Sequence, residues 1–521
     1  MGSREDRCQA YGELAKSLAQ KWEQLCARYL TVVPENSMWR FNRGAAQGDA
    51  EQGWKLHVSA TVLTANDVLR RIGPLLQTRG VRFKAIASLP ELQKLNSGLS
   101  YRYSQVGKFL TVYPRSTKET VSLALGIHRL TRRMSAPSVP FDLRFRPDSC
   151  VYYRYGSFKH LEMENPDGTK TLAMRDPEGK LVPDVRESAI AGPDWAIDPF
   201  AREDTGREAC QSNSSLSTFR AFQALTQRGK GGVYKAVDLR AFPPRLCILK
   251  EGRAYGEVAW DKCDGRRRVK NEEQVLKSLR KLGVPVPCVY SSFKAEHNYY
   301  LVTEFIEGTT LHHLLTQRRR RLPVVRALAY SAEMAALVSE IHDAGWVWRD
   351  CKPANIMITK EGALRPLDFE GACRSDLPEP LPWSTRGFAP PVRSHRDKEN
   401  SSIPGDVYAL GAVLYLLLTG RTPEPVSPLP VAKLRPRVPR GVSDLLSAML
   451  DVDPQRRPEV RSVKEKLRAV LNCGEWPPSD AYFSKKAAAT RNRISKSGLT
   501  RRVNRGEVQA ASQVSKPGVR T

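Results

Sequence analysis

The stretch GWVWRDCKPANIMITKEGALRPLDFEG, residues 345–371 of a 521-residue chain, decides how the rest is read. Within WRDCKPAN, Asp350 stands two residues before Lys352 and five before Asn355; in LDFEG, Asp368 follows Asn355 by thirteen. Moving a phosphoryl group requires a carboxylate to orient the attacking hydroxyl, a cation beside the phosphate, and oxygen ligands for Mg2+. One loop and the hairpin after it supply all of these at this spacing.

The arrangement resembles the protein-kinase catalytic loop H-R-D-x-K-x-x-N followed by D-F-G. Trp348 replaces the His and Glu370 replaces the Gly. The resemblance implies a bilobal kinase fold over residues 216–475. In it Asp350 is the base, Lys352 steadies the γ-phosphate of ATP, and Asn355 with Asp368 holds Mg2+. Upstream, QRGKGGVYKA (227–236) offers Gly229, Gly231 and Gly232, whose amides would approach phosphate oxygens. LCILKEG (246–252) ends an apolar strand on Lys250, as in V-A-I-K, to neutralise the α- and β-phosphates. The helix VKNEEQVLKSLRKL carries Glu272 as its favoured ion-pair partner, with Glu273 in reserve.

YYLVTEFIEG (299–308) resembles the last strand and hinge where adenine docks, around Glu304 to Ile306. His312 and His313 read as surface or packing residues. WSTRGFAPPV (383–392) resembles the end of an activation segment, with Thr385 near the substrate groove. Val392 stands where A-P-E has its glutamate, which removes an ion pair expected with Arg457. Asp406 matches the buried aspartate that braces the catalytic loop.

Length suggests about three domains. A formal charge of +28 suggests an acidic partner, such as ATP, phosphorylated groups, an acidic peptide or a membrane surface. No motif that reads RNA or DNA accompanies that charge, so nucleic acid is not an expected partner. Ten dispersed cysteines without a C-x-x-C argue against a zinc site or disulfide framework and fit a reducing cytoplasm. No secretory signal is evident. The apolar run ALGAVLYLLL (409–418) is too short to span a bilayer and reads as a buried helix.

Near the N-terminus, Tyr11, Leu14, Leu18, Trp22 and Leu25 recur at helical spacing and predict a core-facing helix. WKLHVSAT (54–61) predicts a strand with Lys55 and His57 on one face and Trp54, Leu56 and Val58 on the other. A helix over 63–78, a strand VRFKAIAS (81–88), a strand in KFLTVY, a helix over 117–133 and a strand VYYRYGSF follow. Lysine, histidine and arginines in one small domain suit a phosphate monoester. A lysine of depressed pKa can take a Cα proton, and a histidine can protonate a departing phosphate.

The residues Lys55 and His57 (K-x-H), Phe83 and Lys84 (F-K), GKFLTVYP and VYYRYG resemble the lyase domain of class III and class IV lanthipeptide synthetases. That domain is related to bacterial phosphothreonine lyases. The resemblance spans roughly residues 50–200 and implies an α/β domain with Lys84 as base and His57 as acid. Lys55 and Arg154 would bind phosphate and Asp142 would position a neighbour. Arg102, Lys108, Tyr113 and Arg146 are further candidates for phosphate or substrate contacts.

The fold class expected is therefore α+β: a lyase-like α/β domain with connector (1–200), a kinase fold (216–475) and a basic tail (476–521) expected to be disordered. Turn signals in PDG, DPEG and GPDW suggest a hairpin around KTLAM and KLVPD, and ACQSNSS (209–215) a boundary; nothing in the connector reads as catalytic. Full synthetases of these classes continue into a cyclase domain; this chain is expected to lack one, which leaves ring formation to a possible separate cyclase. The function implied is dehydration of Ser or Thr in a leader-guided precursor peptide, using ATP and Mg2+. The alternative is a regulatory Ser/Thr kinase whose first domain binds phosphate without catalysis, and a non-catalytic scaffold comes third.

Overall fold

The computed structural model describes residues 4–184, 192–201, 215–318, 321–377, 383, 385–391 and 402–473. Its class is α+β, with an α/β domain ahead of a second half in which a sheet-rich part precedes a mainly helical one. The first half comprises α1 (Arg4–Tyr29), β1 (Trp39–Phe41), β2 (Gln52–Val58), α2 (Ala65–Thr78), β3 (Arg82–Ile86), α3 (Leu89–Ser97), β4 (Leu110–Tyr113), α4 (Thr117–Thr131), β5 (Leu143–Arg144) and β6 (Val151–Ser157). The strands form one six-stranded antiparallel sheet in the order β1-β3-β4-β2-β6-β5.

Alternation along β2 turns Trp54, Leu56 and Val58 into the core, where they meet Phe83, Val112, Val151 and the apolar stripe Val68, Leu69, Ile72 and Leu76 of α2. Helices cover that face of the sheet; the opposite face is left to polar residues. Helix α1 departs from expectation. Leu14 is exposed, and burial concentrates in the last turns at Trp22, Cys26 and Tyr29. Those turns lie on α2, where the Tyr29 ring is so close that a Cβ on Gly73 would come within 2.8 Å of it.

The expected hairpin is a three-stranded antiparallel sheet, β7 (Glu162–Glu164), β8 (Lys170–Arg175) and β9 (Leu181–Pro183). The ACQSNSS boundary, apart from Ser215, lies outside the described residues, as do Val392 and the basic tail.

The second half opens with β10 (Phe219–Arg228), β11 (Gly231–Asp238), β12 (Arg245–Gly252), α5 (Gly265–Lys281), β13 (Val289–Ala295) and β14 (Asn298–Glu304). These make a five-stranded sheet, β10-β11-β12-β14-β13, with α5 against it. Asp264 caps α5 by accepting from the Arg267 amide at 3.0 Å. There follow β15 (Gly308–Thr310), α6 (Leu311–Arg318), α7 (Val324–Asp343), β16 (Trp346–Val347), β17 (Ile356–Thr359), β18 (Leu364–Pro366), β19 (Cys373–Arg374), α8 (Ile403–Thr419), α9 (Val431–Leu434), α10 (Arg440–Met449) and α11 (Val460–Cys473). Helix α8 contains the long apolar run and is buried nearly throughout, as its all-round hydrophobicity requires. Among the described residues no helix is long and apolar enough to cross a membrane.

The halves touch at the β10–β11 turn. The Gly229 amide donates to the Ser97 carbonyl at 3.1 Å, and a Cβ there would fall 1.6 Å from the Asn96 carbonyl oxygen. Arg253 donates to the Tyr103 hydroxyl, and Trp260 packs against the core of the first domain.

Candidate active sites

The catalytic loop is tied down from below. Asp406, 1% exposed, accepts the Trp348 amide at 2.8 Å and the Arg349 amide at 2.7 Å. On this base Asp350 accepts at one oxygen from the Thr385 hydroxyl (2.8 Å) and at the other from Lys352 Nζ (2.7 Å) and Asn355 Nδ2 (3.0 Å). Lys352 also donates to the Thr385 oxygen at 2.9 Å. A threonine hydroxyl thus sits against the carboxylate and the ammonium together, the environment an attacking hydroxyl needs. Trp348 substitutes for histidine by donating Nε1–H to the Asp368 carbonyl at 3.1 Å while stacking on Phe369 at 5.5 Å.

Lys250 meets Glu272 at 2.6 Å, which settles the register against Glu273. Glu273 bonds Lys277, Ser292 and Tyr299 instead. Burial pushes the Lys250 pKa down, but Glu272, Asp368 and Glu370 more than offset this and keep it charged. Burial likewise opposes ionisation of Asp368, yet Lys250, Lys230 and Lys352 hold its pKa below the usual carboxylate value. Asn355 Nδ2 donates to both the carbonyl and the carboxylate of Asp350, so the amide oxygen is the atom Asn355 could offer a cation. Hard oxygen donors of this kind fit Mg2+. Glu272, Asp368 and Glu370 each bring a carboxylate oxygen within 4.8 Å of the others.

In the first domain, strand register alone assembles the polar face. Lys84 of β3 pairs Thr111 of β4, Thr111 pairs His57 of β2, and His57 pairs Tyr152 of β6. Two residues along, Lys55 pairs Arg154. Residues directly opposite share a face, so Lys55, His57, Lys84 and Arg154 look the same way. Beneath them, Asp142 accepts from His57 Nδ1 at 2.5 Å and from Lys108 Nζ at 3.0 Å. Burial, then Lys108, drives the His57 pKa down to about 3, so the ring is neutral and Nδ1 carries the proton given to Asp142. Lys84 Nζ stands 4.3 Å from the Trp39 ring centroid. Arg154 is buried and forms a salt bridge with Asp184, just beyond β9.

Residues 24–212 match the family "RamC, N-terminal domain", and residues 229–467 match "Protein kinase domain". The chain joins a RamC-type domain to a protein kinase domain. Across both, it is 31% identical over 401 residues to the "Probable SapB synthase" of Streptomyces coelicolor, covering 74% of this chain and 42% of that protein. It is also 26% identical over 333 residues to the "Hormonally up-regulated neu tumor-associated kinase homolog A" of Xenopus laevis (58% and 46%). "Serine/threonine-protein kinase F" of Synechocystis sp. matches at 28% over 277 residues (48% and 54%). The chain therefore spans about half the length of the curated relatives it matches, or less.

Several sequence expectations shift. The Gly229 amide, which the sequence assigns to phosphate, instead donates to the Ser97 carbonyl of the RamC-type domain. Gly231 and Gly232 open β11, where a Cβ would strike the Glu251 carbonyl or the Tyr234 ring. Glu304 turns its side chain to Arg365 and the Cys288 amide, so around Ile306 the hinge can offer only backbone from that position. Arg457 donates to the Pro404, Asp451 and Val452 carbonyls. His312 and His313 are exposed, as expected. In the RamC-type domain, Lys108 is part of the Asp142 network, while Tyr113 packs on Phe158 (5.1 Å) and Arg146 on Phe145 (5.1 Å); Arg102 is exposed. Sequence reading missed Asp184. Its only signal was a lone acid ending KLVPD, in a connector that looked inert.

Proposed function

We propose that the chain dehydrates Ser and Thr residues of a ribosomally made precursor peptide, as a lanthipeptide synthetase does, in two steps on two domains. The observation that carries this reading is the pairing in one chain of the hydroxyl-binding Asp350 site with a second, cationic face built on His57, Lys55, Lys84 and Arg154. At the first site Asp350 orients the substrate hydroxyl and takes its proton as the oxygen bonds to the γ-phosphorus of ATP and ADP departs. Lys352 and Lys250 balance phosphate charge. Mg2+, with Asn355 and Asp368 as its ligands, would add charge neutralisation on the phosphate oxygens.

At the second site Lys55 and Arg154 bind the phosphate, Arg154 exchanging Asp184 for it. The Lys84 amine removes the Cα proton, the Cβ–O bond breaks, and orthophosphate leaves with a proton delivered through His57. A neutral His57 takes up that proton from solvent at Nε2 once a phosphate dianion stands beside it, since an opposite charge favours the imidazolium. The products are dehydroalanine or dehydrobutyrine, orthophosphate and ADP. Tethering the two sites raises the effective concentration of the phosphorylated intermediate.

The Arg154–Asp184 bridge also suits a phosphate receptor that performs no chemistry, and hence a regulatory Ser/Thr kinase. Intact-mass analysis of a Ser/Thr-rich peptide co-expressed with wild type and Lys84→Ala separates the two. Loss of water with wild type and a retained phosphate with the variant support dehydration. Phosphate retained with both leaves a kinase alone.

A further inference from the structure

Lys230 and Glu370 are charged residues in the nucleotide cleft to which phosphoryl transfer, as described, gives no task. Lys230 lies in the turn between β10 and β11; Glu370 stands where kinases carry the glycine after Asp-Phe. Their side chains form a salt bridge, Lys230 Nζ to Glu370 Oε2, from the roof of the cleft to its floor. The Trp383 ring flanks the ammonium at 5.4 Å, and Glu370 is 6% exposed at its side chain. The backbone beneath Lys230 is fixed, because its carbonyl accepts the Arg253 amide at 2.8 Å and the preceding Gly229 amide is held by Ser97. Burial works against the Lys230 charge, but Glu370 and Asp368 more than restore it, which places the ammonium in the field of the same aspartate that offers itself to Mg2+.

A flexible ammonium with three donors can exchange one oxyanion for another without moving its backbone. A carboxylate and a terminal phosphate offer it the same charge-assisted hydrogen bonds, and the phosphate brings more charge. We propose that Lys230 recognises the terminal phosphate of a bound nucleoside triphosphate, and that Glu370 holds this seat closed until the triphosphate displaces it. A diphosphate is one group too short to compete, so the pair discriminates ATP from ADP and closes again as product leaves. A glycine at 370 would leave Lys230 without this counter-charge before the triphosphate binds.

The proposal rests on the kinase reading and is tested without peptide, by calorimetric binding of MgATP and MgADP to the full chain. Lys230→Met should weaken ATP by about tenfold and ADP by less than about twofold, the scale of one charge-assisted contact. Glu370→Gln should tighten ATP by about threefold or more and leave ADP unchanged, since the competing carboxylate has lost its charge. The double variant Lys230→Met/Glu370→Gln, which buries no lone charge, should repeat the loss of discrimination if the single lysine variant fails to fold. Equal losses for ATP and ADP in Lys230→Met overturn the proposal. So does unchanged or weaker ATP binding in Glu370→Gln, the weaker case being the mark of a metal ligand. A wild-type chain that binds neither nucleotide refutes the kinase reading itself, a result distinct from either.

Discussion

The kinase site and the face of the RamC-type domain both gather cationic side chains, yet they are built in opposite ways. Asp350, Lys352, Asn355 and Asp368 come from one short run of chain, so local geometry nearly fixes their mutual positions. Lys55, His57, Lys84 and Arg154 come from three strands and meet only because the sheet register brings them onto one face. A slip of one residue in β2 would turn Lys55 and His57 into the core. The first site tolerates distant change so long as its loop is braced; the second depends on the whole domain. The two also share a device. In each, a carboxylate of the chain itself is paired with a cation proposed to bind phosphate, Glu370 with Lys230 and Asp184 with Arg154.

Removing the chemistry from each site in turn gives the largest effects. Asp350→Asn should lower peptide phosphorylation by up to about 10^4-fold, read by single-turnover phosphoryl transfer; a full rate would break the assignment of the base. Lys84→Ala should lower elimination by about 10^3-fold while phosphorylation proceeds, seen as phosphopeptide by mass spectrometry. Equal losses in both steps would show that the sites are not separable.

Stability should follow the same contrast. Asp142→Asn takes the counter-charge from Lys108 and weakens the acceptor of the His57 Nδ1–H bond in a buried setting, and should cost about 3 kcal/mol in thermal or denaturant unfolding of the RamC-type domain. Acid should act there as well. The folded pKa of His57, about 3, lies below the unfolded 6.5, so between those values the unfolded chain binds a proton that the folded one refuses. Stability is therefore lost as pH falls through that window, and His57→Gln should flatten the slope. In the kinase half, Trp348→Phe keeps the stack on Phe369 and loses only the bond to the Asp368 carbonyl. It should cost about 1 kcal/mol and leave ATP turnover within severalfold of wild type.

How much could be read in the sequence follows from the same difference. The spacing of Asp350, Asn355 and Asp368 sufficed for the catalytic loop, and alternation in residues 54–58 sufficed for β2. Glu272 could be favoured but not fixed, because one residue of helical register separates it from Glu273, and Lys250 decides it only in three dimensions. Gly229 was misread because its partner, Ser97, lies in the other domain. Leu14 fitted the helical stripe, but α1 meets α2 only with its later turns. Asp184 and the Lys108–Asp142 bridge were beyond reach, since each joins residues 30 or more apart with no pattern between them.

Trp260 has a consequence for synthesis on the ribosome. The core it packs against is built from residues that emerge first, through Phe200. At roughly 5 to 20 residues per second, the indole arrives some seconds after that core can form. For that interval the nascent domain carries an uncovered apolar patch. A translational pause before residue 260 has cleared the ribosome would prolong its exposure to chaperones, whereas one after it has emerged would not.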